Sequence, residues 1–178
     1  MGISTLHNDH VLLRALEPED LEFLYRLEND ETIWEVSNTQ TPYSKFVLKQ
    51  YLENAHKDIY EVKQLRLAII SKNQKELVGF IDLFDFDPKN ARVGIGVVIY
   101  SDEQRNKGYA KNALGLLLGY CENNLQMHQV YANIGAGNKA SLSLFESLGF
   151  SKSGHKKDWL RQANGFTDEL IYQKIYES

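Results

Sequence analysis

The chain of 178 residues holds one cysteine, three prolines and no strongly basic run. Each scarcity excludes something. A lone thiol, Cys121, cannot form an internal disulfide, so the core alone must hold the fold, and a reducing compartment is the natural reading. No stretch approaches the roughly 18 consecutive apolar residues of a membrane span. The segment from Met1 to His10 is polar and lacks the apolar region of a secretory signal, so the expected location is cytoplasmic. With few prolines, no repeat and no low-complexity tract, nothing divides the chain, and residues 1–178 read as one domain. Lys156 and Lys157 form only a basic pair, and a net charge of −4 with a pI near 5.7 argues against a nucleic-acid partner. His7-x-x-His10 sits in the polar terminus with no third ligand suggested, so no metal is expected.

What is present suits a globular α/β domain: 43% hydrophobic and 25% charged residues. Leu12 to Leu16 reads as a short strand. Pro18, with Glu17, Glu19 and Asp20 around it, suits a helix start. Leu21, Leu24 and Leu27 carry helical spacing as far as Asn29-Asp30. Val47, Leu48, Tyr51, Leu52 and Ala55 predict a second helix from about Ser44 to Asp58. Three strands follow, Leu65 to Ser71, Leu77 to Phe86 and Arg92 to Tyr100. The turns between them are short and polar, which predicts an antiparallel meander. After Ser101 the period changes. Ala110, Ala113, Leu114, Leu117 and Cys121 mark one helix face. A strand from about His128 to Ile134 comes next, then a helix from Asn138 to Leu148 closing at Gly149. Two strands around Asn164-Gly165 end the domain.

The segment Arg105-Asn106-Lys107-Gly108-Tyr109-Ala110 joins a strand to a helix. A loop entering a helix presents unpaired backbone N–H groups and the positive end of the helix dipole, which suits phosphate. Gly108 has no side chain to block a pyrophosphate. The sequence has no G-x-x-x-x-G-K-[ST] loop, and Gly94-Ile95-Gly96 lies inside a strand, where a bulge or a close backbone approach is the better reading.

This R-x-x-G-x-A pattern resembles the acetyl-CoA pyrophosphate motif of the GNAT acetyltransferases. Asn138 to Phe150 is similar to the family's N-x-x-[AS]-x-x-L-[YF]-x-x-x-G-F signature. Leu13 to Asp20, Asp158-Trp159 and Gly165 to Asp168 resemble the branch holding spermidine and ribosomal-protein N-terminal acetyltransferases. The resemblance implies a twisted mixed sheet flanked by helices, with acetyl-CoA as cosubstrate. It implies that Val97, Val98 and Ile99 hold the pantetheine arm, one of their N–H groups polarising the thioester carbonyl. The N–H groups of Arg105, Asn106, Lys107, Gly108, Tyr109 and Ala110 would hold the pyrophosphate. Asn138 would bond the pantetheine and Phe145 would pack near the sulfur. Dimers are common in that branch, so a homodimer or a larger homo-oligomer is the expected assembly.

The implied chemistry is attack of a neutral amine on the thioester. A lysine-like amine with a pKa of about 10.4 needs about 4–5 kcal/mol to lose its proton at pH 7. The site must therefore supply desolvation or a base. Many relatives carry a glutamate base where this chain has Gly94, and a thiolate-protonating tyrosine where it has Phe145. Asp82, on a strand face of Val78, Phe80, Phe84 and Phe86, is the acid expected to act instead. Glu35, Asp82 and Asp85 are the expected acceptor-binding residues, Glu35 because it follows Trp34 and an acid beside an aromatic suits an ammonium. The expected activity is acetylation of a primary amine, with a small polyamine such as spermidine favoured. A ribosomal-protein or other protein N-terminus is the alternative acceptor. An acetyl-CoA binder with little catalysis is the alternative of another class.

Overall fold

The computed structural model describes residues 6–177 apart from 38 and 102. Seven strands form one sheet: β1 (Val11–Arg14), β2 (Leu65–Ser71), β3 (Glu76–Asp87), β4 (Arg92–Ile99), β5 (Gln129–Gly135), β6 (Ser151–Gln162) and β7 (Gly165–Ile175), in the order β1-β2-β3-β4-β5-β7-β6. β2 to β4 make the predicted antiparallel meander, β1 adds to it beside β2, and β6 with β7 are the two strands predicted around Asn164-Gly165. β4 and β5 pair in parallel, which requires a crossover, here α5 (Tyr109–Asn123).

β2 and β4 read almost continuously apolar because both sheet faces are covered. On one face α5 packs Ala113, Leu114, Leu117 and Cys121 against Ile69, Ile81, Leu83, Val93 and Ile95. On the other, α1 (Leu21–Glu28), α2 (Glu31–Ser37) and α3 (Lys45–Glu53) place Leu24, Leu27, Ile33 and Leu48 over Ala68 and Phe80. Cys121 is fully buried, and burial pushes its thiol up to about 12. It should be silent to a thiol reagent at pH 8 until the chain unfolds; labelling of one thiol in the native protein would contradict that burial.

Two elements differ from the sequence expectation. The helix expected to reach Asp58 stops at Glu53, where Asn54 takes the end by donating its backbone and side-chain N–H to the Gln50 carbonyl. Asp58 then caps a separate short helix, α4 (Ile59–Val62), by accepting from the Tyr60 N–H. α2 was not foreseen because its sequence, Glu-Thr-Ile-Trp-Glu-Val-Ser, has no apolar period. Asp30 starts it, accepting from the Thr32 N–H, as well as marking the end of α1.

Pro18 opens a 3-10 turn, Pro18–Asp20, rather than an α-helix. Asp20 is only 4% exposed and takes both forks of the Arg14 guanidinium at 2.8 Å, besides the Glu17 N–H. Desolvation works against its charge, but these bonds outweigh it, and the Asp20 carboxyl lies below its ordinary range. A depressed carboxyl stabilises above its unfolded value of about 3.9 and loses that contribution as pH falls toward the folded value. Asp20→Asn should lower Tm at pH 7 and reduce the steepness of acid unfolding below about pH 4; an acid limb identical to that of the parent chain would refute this.

Candidate active site

β4 stays paired to β3 through Ile99, and β5 to β7 through Gly135. Between β4 and β5, however, the register covers only Arg92↔Gln129, Val93↔Val130 and Gly94↔Tyr131. Beyond Gly94 the sheet opens, with Ile95–Ile99 on one side and Ala132–Gly135 on the other. Because the two strands are parallel, the helices that follow them, α5 and α6 (Lys139–Ser147), both begin at the open end. Backbone groups on the edges of such a gap need partners, and the carboxyl ends of parallel strands are the usual place for a ligand.

The loop into α5 is shaped for an anion. Asn106 and Gly108 both have positive φ, 59° and 79°. A Cβ on Gly108 would meet only the Asn112 Nδ2, at 3.5 Å, so the space over this helix start is open on the protein side. Asn112 donates to the Gly108 carbonyl and accepts from Asn8, which braces the loop. The buried Tyr109 accepts a hydrogen bond from Ser71 at its hydroxyl. The Arg105 N–H already bonds the Ser101 carbonyl, so the donors available to a pyrophosphate begin at Asn106. Lys107 and Lys111 are exposed beside them. Asn138 caps α6 through its Oδ1, which accepts from the Ser141 N–H; its amide NH2 is the part able to reach a ligand. Val97 and Val98 are half-buried on the gap strand. Phe145 is 4% exposed and packs edge-on against Phe150, an apolar wall with no proton to give. Open strand, helix start and capping amide thus fit an acetyl-CoA.

On the α1/α3 face, β2 and β3 bring Arg66 opposite Asp82, and β4 brings Gly96 opposite Asp82. The Arg66 Nε and Nη2 donate to the two Asp82 oxygens at 2.6 and 3.1 Å, and its Nη1 donates to Glu28 Oε1 at 2.7 Å. Burial disfavours the Arg66 charge, but Asp82 and Glu28 more than offset it and hold its pKa above the ordinary value. Glu28, Arg66 and Asp82 line a cavity of about 440 Å³ whose walls include Leu24, Leu48, Tyr51, Leu65 and Phe84. Burial, with Asp82 and Glu28 nearby, raises the Tyr51 phenol against the opposing pull of Arg66, so it stays a neutral donor. A Cβ on Gly96 would meet nothing within 4 Å, which leaves room beside Asp82.

The three acids expected at the acceptor site are not brought together. Asp82 lines the cavity, but with both oxygens on Arg66. Glu35 is exposed on α2 and does not line the cavity. Its neighbour Trp34 does not line the cavity either, but donates its indole N–H to the Glu28 backbone carbonyl at 2.9 Å. Asp85 is exposed on a β3 bulge, with φ 49°, and accepts from Tyr131 at 3.4 Å beside a different cavity. The residues not foreseen are Glu28 and Arg66. An arginine inside the apolar run Leu65-Arg66-Leu67-Ala68-Ile69 was the available signal, since such a charge needs a buried partner.

Gly94 has its own neighbour. A Cβ there would lie 2.2 Å from the Phe84 ring, so Phe84 fills the space that a side chain at 94 would take, and its ring meets Tyr131 edge-on. Gly94→Ala should cost about 1–3 kcal/mol through overpacking, and adding Phe84→Leu should recover most of it. Equal Tm for Gly94→Ala and the parent chain would contradict the close approach.

A mixed sheet opened between two parallel strands, with an unobstructed helix start at the opening, is the architecture of an acyl-CoA-dependent transferase. A family model described as an acetyltransferase (GNAT) domain matches residues 10–151, and the chain belongs to that N-acetyltransferase family. It is similar to the spermidine N(1)-acetyltransferase of Vibrio cholerae, 28% identical over 83% of each chain. It is also similar to the putative ribosomal N-acetyltransferase YdaF of Bacillus subtilis, 25% identical over 94% of this chain and 92% of that one. Among solved structures, the Vibrio cholerae spermidine N-acetyltransferase in complex with CoA and spermine superposes with a TM-score of 0.82 at 26% identity, covering 94% of this chain and 96% of that one. Among the described residues no group could hold a metal ion, and no helix is long and apolar enough to cross a membrane.

Proposed function

We propose that this N-acetyltransferase acetylates a primary amine that enters through the Glu28–Arg66–Asp82 cavity, with a small polyamine such as spermidine as the leading acceptor class. The observation that carries this is the pair of carboxylates, Glu28 and Asp82, that outnumber the one cation, Arg66, in a cavity between β2, β3 and the α1/α3 layer. Similarity to the Vibrio cholerae spermidine acetyltransferase, in sequence and in structure, supports the polyamine class. In this reading the N–H groups from Asn106 to Ala110 hold the pyrophosphate, Asn138 and Val97 to Ile99 hold the pantetheine arm, and acetyl-CoA supplies the acyl group. A β4 N–H, Val98 foremost, polarises the thioester carbonyl. Desolvation in the cavity lowers the cost of baring the amine, and Asp82 takes the proton through one water on the lone pairs that Arg66 leaves open. Phe145 excludes water from the sulfur without donating to it.

A protein N-terminus is the second reading. It is favoured by Arg66, which leaves the cavity a net charge suited to a single ammonium.

The test is thiol release from acetyl-CoA by the full chain with spermidine, spermine, small diamines and N-terminal peptides. Turnover with peptides alone would displace the polyamine reading, and acetyl-CoA binding with no turnover would displace both. The buried Cys121 keeps the enzyme's own thiol out of the readout. Gly96→Ala, whose Cβ meets no atom of the protein within 4 Å, should leave Tm within about 2 °C and lower amine turnover by about tenfold or more, since misplacing an acceptor by about 1 Å is that costly.

A further inference from the structure

We propose that Glu28 is the counter-ion of the acceptor's ammonium group, and that Arg66 is a positioning residue that holds Glu28 at the cavity while neutralising Asp82. This rests on the amine-acetylating reading above and names the group in that site that takes the amine.

The two carboxylates are not equivalent. Both Asp82 oxygens face one guanidinium, whereas Glu28 gives it only Oε1. Among the described residues nothing bonds Glu28 Oε2, although the Glu28 side chain is 15% exposed and lines the cavity. A charge-assisted N–H···O bond is the strongest partner such an oxygen can take. Glu28 is also held where a carboxylate is disfavoured. It is the last residue of α1, at the negative end of the helix dipole. Its backbone is pinned from a second side by the Trp34 indole. A mostly buried carboxylate with one free oxygen, at that end of a helix, is an incomplete ion pair facing open space.

The charge count sets the acceptor class. Glu28, Asp82 and Arg66 are the charged residues lining the cavity, and they sum to −1. One ammonium cancels that. The next bonds of the acceptor run past Leu24, Leu48, Tyr51 and Leu65, which suit a methylene spacer. A polyamine would thus place one ammonium inside and keep the others outside.

The test is calorimetric binding of n-butylamine, putrescine and spermidine to the CoA-loaded full chain, with thiol-release kinetics alongside. Glu28→Gln should weaken all three amines by about tenfold to a hundredfold, with CoA affinity unchanged and a fall in Tm smaller than that of Arg66→Met, because Asp82 still pairs with Arg66. Glu28→Asp, which keeps the charge, should recover part of that loss. Arg66→Lys, which cannot fork between two carboxylates, should raise the amine KM with kcat altered less than about threefold. In the parent chain spermidine and n-butylamine should bind within about tenfold of each other. Unchanged amine binding in Glu28→Gln would overturn the assignment. A spermidine preference above about a hundredfold would overturn the single-ammonium count. Amine binding that depends on Glu28 but is followed by no acetyl transfer would overturn the catalytic reading and leave Glu28 in its role.

Discussion

Gly108→Val is expected to raise the Kd for acetyl-CoA by at least about a hundredfold, about 2.7 kcal/mol, while the fold survives. The protein itself presents little obstacle to a side chain there, since only Asn112 Nδ2 comes near, at 3.5 Å. The intramolecular penalty is the left-handed backbone, φ 79°, which costs a residue with a Cβ about 1–2 kcal/mol. For a chain of this length that is a fall in Tm of about 2–8 °C. The larger loss would come from the ligand, because isopropyl carbons would stand where a pyrophosphate needs the backbone N–H groups. Calorimetry on the folded variant separates the two effects. Affinity within about threefold of the parent would remove this loop from the pyrophosphate site.

The second large effect is on stability. Arg66→Met removes the partner of two carboxylates at once, and breaking a buried ion pair from one side costs about 3–5 kcal/mol. The expected fall in Tm is about 6–20 °C. Part of the loss should return when Asp82→Leu is added, because the remaining carboxylate is then Glu28 alone. A double-mutant cycle measures that coupling. Additive losses would mean that Arg66 and Asp82 do not act as the pair their geometry defines.

Most of the fold was legible because its signals are local. The meander, the α5 stripe and the C-terminal hairpin each follow from period and turn residues within one segment. What was not legible depends on partners far apart in sequence. The expected second helix broke because Asn54 and Asp58 make capping bonds that an apolar stripe does not encode. The site divided in the same way. The anion loop at Gly108 and the capping amide of Asn138 sit in motifs. The acceptor-side network joins residues 28, 66 and 82, and no spacing in the chain relates them. Asp82 was singled out as an acid on an apolar face, but its partner was visible only as a charge inside a second apolar strand. Register alone brings the two opposite each other. Gly94 likewise read as a bulge or a close backbone approach, whereas the neighbour is a side chain, the Phe84 ring.

The opening between β4 and β5 is also a seam in the assembly of the domain. Each side of it is contiguous in sequence, residues 11–99 and 129–175, and three residue pairs form the ladder that joins them. In the proposed reading, a ligand arm bonded along Ile95–Ile99 would do the work of an absent strand. Its binding would add rungs to the sheet, so cosubstrate occupancy should slow amide hydrogen exchange on both sides of a seam that is otherwise held mainly by the shared core.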